Sequence, residues 1–169
     1  MVPQVRNLQA MLEEWGYVSG WSLTPRGERL RSLYNDRDLL LADAIDSGVF
    51  EGLDVAETAG VASLFTYEPR SSADDEIQRP TSAVAAVFDE VTGHWERLVE
   101  AEEGRGLQPT RPPEAGFVPI AYRWAAGESL EGLFEDDAGV GDFVRNCRQT
   151  IDLVRQIGDA HPELLSAMT

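Results

Sequence analysis

The chain has 169 residues, 43% hydrophobic and 26% charged, which supplies apolar material for one core of ordinary size and no signature of disorder. Its 30 acidic residues oppose 14 basic ones, a formal charge of −16, and every basic residue is arginine. This balance repels free nucleic acid at long range, so any phosphate contact has to be local or helped by neighbouring basic domains, and the lack of lysine excludes a P-loop nucleotide hydrolase.

The first residues, Met1-Val2-Pro3-Gln4-Val5-Arg6, lack the apolar run of a signal peptide, and no window approaches the ~20 apolar residues of a membrane span. The expectation is a soluble, cytoplasmic chain. Residues 4 to 15 set Val5, Leu8, Leu12 and Trp15 at helical spacing, and Gly16 ends the pattern. Tyr17-Val18, a turn at Ser19-Gly20, and Trp21-Ser22-Leu23-Thr24 predict a short hairpin that leads to Pro25 at the start of another helix. This order of helix, hairpin and helix has a winged-helix-like cadence.

Helical spacing continues from Pro25 to Tyr34 and from about Asp36 to Ser47, where Leu39-Leu40-Leu41 predicts burial over a wide arc. Asp54, with Glu57 three residues later, predicts a capping box that opens a helix to about Phe65. Pro69 to Pro80 is polar and acidic and reads as an exposed loop. Val84, Val87, Phe88, Val91, Trp95 and Leu98 mark a long amphipathic helix whose other face, with the run Glu100 to Glu103, is expected in solvent. Gly104 to Glu114 carries three prolines and reads as a connector. A helix through Phe117, Ile120, Ala121 and Trp124 follows, then a short one at Ser129 to Phe134 and a weak terminal one at Pro162 to Met168.

Between the last two lies the segment Asp142 to Ile157. At about 100° per residue, Phe143, Val144, Cys147, Thr150, Ile151, Val154 and Ile157 gather on one face, with Arg145, Arg148, Gln149, Asp152, Arg155 and Gln156 opposite. The sole cysteine, Cys147, falls on the apolar face, so it reads as a buried thiol, and no internal disulfide can form. Ordinary pairing of Arg148 with Asp152 at i,i+4 and of Asp152 with Arg155 at i,i+3 would account for the charges without a ligand.

Other chemistry is weakly represented. Asp89-Glu90-Val91 lies in a helical pattern, which is the wrong context for the acidic box at the end of a helicase strand. His94 and His161 are far apart with no second ligand at metal spacing, so solvated or packed imidazole is expected and no metal site is assigned. The acidic pairs Asp74-Asp75 and Asp136-Asp137 read as solvated loop charge. No catalytic residue is assigned. The pattern as a whole predicts an all-α helical bundle with a short hairpin near its start.

Two blocks resemble the C-terminal DSHCT domain of superkiller-type DEAD/DEAH-box RNA helicases, and most of all that of the actinobacterial HelY-like helicases. The first comprises Leu12 to Val18, Leu23-Thr24-Pro25-Arg26-Gly27, Asp38 to Ala42, Ser47 to Leu53, and Tyr67-Glu68-Pro69-Arg70; the second comprises Trp124 to Leu130 and Gly141 to Ile157. The resemblance implies that residues 1–33 are the tail of a winged-helix-like segment and that residues 34–169 are a helical domain. That domain would pack on RecA-like motor domains, which hold ATP and Mg and are absent here, so the chain is expected to be a fragment without its own activity or cofactor. It also implies that Asp142 to Ile157 takes the place of a ratchet helix lying across single-stranded RNA. Arg145 and Arg148 match basic positions of that helix, and the resemblance implies that Arg148 is the better candidate to touch a base or the backbone; a guanidinium plane both stacks on bases and pairs with phosphate, which suits sequence-independent tracking. Asp152 would position Arg148 or Arg155. Gln149 stands where many members carry a second basic residue, and Ile151 where an acid is often found. The expected nucleic-acid-binding set is therefore Arg145, Arg148, Gln149, Asp152 and Arg155. The alternative is a helical protein–protein interaction module without nucleic-acid contact. A winged-helix regulator ranks last, since no DNA-reading helix precedes Gln4.

Overall fold

A computed structural model describes residues 2–69, 79–134 and 140–164. Among them the chain forms eight α-helices and one two-stranded hairpin: α1 (Val2–Glu14), β1 (Val18–Ser19), β2 (Ser22–Leu23), α2 (Pro25–Arg31), α3 (Asp38–Asp46), α4 (Val55–Ser63), α5 (Ser82–Glu103), α6 (Val118–Ala125), α7 (Leu130–Leu133) and α8 (Val140–Ala160). The all-α expectation holds, as does the hairpin at the predicted place. The loop expected at 69–80, the acidic pairs Asp74-Asp75 and Asp136-Asp137, and the end of the terminal helix fall mostly or wholly outside the described residues.

The hairpin pairs Val18 with Leu23 and Ser19 with Ser22, leaving a two-residue turn whose first member, Gly20, has φ +61°. A side chain is strained in that conformation, and glycine is not. Thr24 then caps α2 by accepting from the Gly27 amide, and Pro25 occupies the first helical position, where no amide hydrogen is needed. Gly27 is required for space: a Cβ there would lie 2.0 Å from the Tyr17 carbonyl oxygen. This close approach seats α2 on the backbone entering the hairpin.

The centre of the bundle is α4, with Ala56, Thr58, Gly60, Val61, Ala62 and Ser63 buried, a distribution that fits a helix surrounded by others. It packs against α5, α6 and α8, while α3 packs against α2 and α5. The main core joins Met11 and Tyr17 of the N-terminal part to Leu40, Leu41, Ile45, Phe65, Val91, Leu98, Leu153 and Ile157. Burial of each such Leu, Ile or Phe side chain contributes about 1.5–3 kcal/mol. A second cluster gathers Phe117, Ala121, Phe143 and Cys147, with Tyr67, Trp124 and Phe134 packed against it. The two ends of α8 thus sit in different cores, which fixes its rotation.

Polar contacts tie the helices together. Arg26 lies 4.4 Å from the Tyr17 ring centroid and donates to Asp46 at 2.6 Å and Asp43 at 3.2 Å. Asp43 in turn stands 2.6 Å from Nδ1 of the buried His94 on α5. The two histidines are packed imidazoles, His161 against Glu163. Among the described residues no group of His, Cys, Asp and Glu is arranged to hold a metal, and no helix is long and apolar enough to cross a membrane.

One expectation is corrected on α5. The run Glu100 to Glu103 does not lie wholly in solvent, because Glu102 is buried and its carboxylate accepts from the amide and hydroxyl of Thr110 at 2.6 and 2.7 Å. The charge that looked like surface anchors the proline-rich connector, helped by Trp95, whose indole donates to the Thr110 carbonyl at 2.8 Å.

Candidate nucleic-acid interface

All five residues expected to meet nucleic acid lie on α8 and are exposed. Helical periodicity displays them, but not as one row. The buried residues of α8 are Phe143, Asn146, Cys147, Thr150, Leu153, Ile157 and Gly158. This face is turned by roughly 40° from the predicted one, at about 100° per residue. Val144, expected inside, is exposed, and Ile151 is only half-buried; Asn146 and Leu153 are inside instead. The rotation follows from packing: the Thr150 hydroxyl sits 3.4 Å from that of Thr66 and donates to the Asn146 backbone carbonyl, so the Thr150 hydroxyl is satisfied in the seam with α4 and its exit.

A cleft of about 480 Å³ lies beside α8. One wall is Gln149, Asp152, Leu153 and Gln156 of α8; the second is Tyr34, Asn35, Asp36 and Arg37, between α2 and α3; the third is Phe65, Thr66 and Glu68, after α4. Gln149 and Asp152 therefore face the cleft, whereas Arg145, Arg148 and Arg155 do not line it. By helical angle Arg148 and Arg155 lie roughly 100° around the helix from the cleft.

The ion pairs differ from those that spacing alone suggests. Arg155 stands 3.8 Å from Asp152, both widely exposed, a contact with a contribution of a few tenths of a kcal/mol at most. Arg145 pairs with Asp142 at 3.2 Å. The expected Arg148–Asp152 pair does not form, and Arg148 has no ion pair among the described residues. Its guanidinium is the cation of α8 least committed to the protein itself.

The cleft is held rigidly. Arg37 is 2% exposed and spends its guanidinium on three backbone carbonyls: Pro112 at 2.9 Å, Phe65 at 3.0 Å and Tyr67 at 3.4 Å. Burial pushes its pKa down from the ordinary value. Asn35 donates to the Phe65 carbonyl at 3.0 Å and accepts from the Arg37 amide at 2.7 Å. The Tyr34 amide donates to the Gln156 side chain at 2.8 Å, which ties the second wall to α8, while the Tyr34 ring itself is 82% exposed. Arg111 pairs with Glu68 at the cleft's edge. Sequence reasoning assigned no site role to Tyr34, Asn35, Asp36, Thr66 and Glu68: it put Tyr34 at the end of one helix and Asp36 at the start of the next, and Glu68 in the family-like block Tyr67 to Arg70. The available signal was an aromatic followed by Asn-Asp in a helix-to-helix turn. Cys147 is in the aromatic cluster with its thiol pKa raised to about 11 by burial, as its place on the apolar face predicted.

Comparison with known proteins adds to this geometry. The family model of the DSHCT (NUC185) domain matches residues 20–167. The protein named Probable helicase HelY from Mycobacterium tuberculosis (strain ATCC 25618 / H37Rv) is 34% identical over 168 residues, covering 90% of this chain and 18% of that protein. Its namesake from Mycobacterium leprae (strain TN) is 36% identical over 155 residues, 83% of this chain and 17% of that protein. The protein named mRNA transport homolog 4 from Caenorhabditis elegans is 22% identical over 169 residues, 93% of this chain and 16% of that protein. The chain spans less than a fifth of the length of these relatives.

Proposed function

The chain belongs to the DSHCT (NUC185) domain family, a domain found in helicases, and from this premise we propose that it is the accessory domain of an ATP-dependent RNA helicase that guides single-stranded RNA along α8. ATP and Mg would bind the RecA-like motor domains of the same polypeptide, and no residue of this chain acts in catalysis. One observation carries the reading. The outer face of α8 offers three exposed arginines, one of them without an ion pair among the described residues, beside a rigid cleft lined by Gln149 and Asp152. A strand could place phosphates on Arg145, Arg148 and Arg155 and its bases toward the cleft, a division of contacts that needs no base sequence.

The test is fluorescence anisotropy of a labelled single-stranded RNA with this protein over a range of low salt concentrations. Replacing Arg145, Arg148 and Arg155 with Ala is expected to weaken binding and to flatten the slope of log K against log salt by up to about 2, since each phosphate contact on a single strand contributes about 0.7. Unchanged affinity and slope would remove the strand from α8.

A second reading, a helical protein-interaction module, is favoured by one feature. Val5 and Leu8 of α1, with Trp21 and Leu23 of the hairpin, are exposed apolar side chains. Within the helicase reading they belong to residues 1–33 as the tail of a winged-helix segment, whose remaining part would cover them. A partner protein whose binding survives loss of the three arginines would favour the second reading instead.

A further inference from the structure

We propose that the Tyr34 ring is a stacking platform for one base of a single strand lying on α8, and that it accepts any of the four bases. The inference rests on the strand-guiding reading and adds to it a contact that α8 does not supply.

Tyr34 and Trp21 are the two widely exposed aromatic side chains among the described residues, at 82% and 81%. Trp21 sits in the turn of the hairpin, whereas Tyr34 stands beside α8 at the cleft's edge. The main chain around Tyr34 is fixed. Leu33 is buried in the main core, the Tyr34 amide donates to the Gln156 side chain at 2.8 Å, and the Asn35 side chain is bonded to the Phe65 carbonyl and the Arg37 amide. The Tyr34 side chain is uncommitted: among the described residues its ring meets no other ring and its hydroxyl has no hydrogen-bond partner. By comparison, Tyr17 is buried beneath Arg26, and Tyr67 stacks on Phe117. A flat face on an anchored backbone has little freedom left to lose on binding.

The position suits a base better than a phosphate. Asp36, Glu68 and Asp152 line the same cleft, the last two paired with Arg111 and Arg155, so the ring stands among carboxylates. A neutral base meets no charge repulsion there, while the charged backbone is drawn to the arginines. Gln156, which holds the Tyr34 amide, is next in sequence to Arg155. Tyr34 is thus anchored one side chain away from the end of the arginine row. Every base has a π-face, so stacking on the ring is indifferent to sequence, as a guiding role requires.

The experiment compares a labelled single-stranded RNA of mixed sequence with an abasic oligoribonucleotide of the same length, by anisotropy at low salt. Tyr34→Ala is expected to weaken RNA binding by about 5-fold or more, the effect of losing one stacked base, and to leave the salt slope as it is, because no phosphate contact is lost. Tyr34→Phe keeps the ring and should bind as the wild type does. The abasic strand has no base to stack, so it should bind the wild type and Tyr34→Ala equally while still losing affinity when the three arginines are removed. Trp21→Ala should leave RNA affinity unchanged. An unaltered urea midpoint for Tyr34→Ala, expected of so exposed a side chain, separates a lost contact from a lost fold. Equal RNA affinity of Tyr34→Ala and wild type, an equal loss for RNA and the abasic strand, or a loss with Tyr34→Phe as large as with Tyr34→Ala would each overturn the proposal. If the arginine variant binds RNA more weakly and Tyr34→Ala does not, the guiding role stands and only the platform falls; if neither variant changes binding, both fall.

Discussion

Arg37 shows how a charged residue becomes part of the scaffold. Its planar fork reaches three carbonyls on two separate segments, 65–67 and the connector at Pro112, and a lysine, with a single ammonium on a flexible stem, cannot span them. Arg37→Lys is expected to lower unfolding free energy by about 2–4 kcal/mol in urea titrations, because buried carbonyls lose charge-assisted partners. Gly27→Ala should also destabilise, by about 1–3 kcal/mol, even though alanine favours a helix by about 1 kcal/mol; the Tyr17 carbonyl occupies the space of the new methyl group. Two buried acids set the alkaline limit. Burial raises the Tyr17 pKa from 10.0 to about 12 and that of Cys147 from 9.0 to about 11. The folded state therefore holds these protons when the unfolded chain has released them. The sign is a loss of stability as pH rises through about 9 to 12, with no contribution from either group below that window. Denaturant midpoints measured across alkaline pH should fall for the wild type, and the Cys147→Ala variant should show a shallower fall between about 9 and 11.

Local chemistry was the most legible level for whole elements. Pro25 and Asp54 with Glu57 mark helix starts because capping depends on neighbours within three residues; the Asp54–Glu57 box forms as read, while Thr24, read as part of the hairpin, also caps α2. Glu57 does more than close its own box. It also accepts from the hydroxyl of Thr81, the N-cap of α5, and so couples the starts of two helices. Asp54→Ala should cost about 1 kcal/mol by thermal unfolding, and Glu57→Ala a similar amount, since it takes away the acceptor of both the Asp54 amide and the Thr81 hydroxyl while the two N-cap bonds themselves remain. Periodicity placed α5 and α8 well but could not fix their rotation. On α8, Thr150 is inside as periodicity predicts, but Asn146 and Leu153 are inside as well and Val144 is outside, because a partner after α4 satisfies the Thr150 hydroxyl and the N-terminal half follows the aromatic cluster around Phe143. Glu102 escaped for the same reason: its partner, Thr110, lies beyond the helix end in a connector whose path only tertiary packing determines.

At the scale of the molecule, a formal charge of −16 and an arginine-bearing helix pull in opposite directions. The net charge makes the domain a poor binder of nucleic acid by itself, and it confines attraction to one face, where Arg145, Arg148 and Arg155 project. The sequence was sufficient to find that helix and its exposed residues. It was not sufficient to find the cleft, because Tyr34, Glu68 and Gln149 are brought together from three segments far apart in the chain, and no local spacing encodes their meeting. The account as a whole stands on a strand lying over α8 beside that cleft. Ultraviolet cross-linking of a single-stranded RNA of mixed sequence to the protein, followed by mass spectrometry of the adducts, measures this directly. The predicted adducts fall on residues 145–156 and on Tyr34; adducts confined to α1, the hairpin or α5 would contradict it.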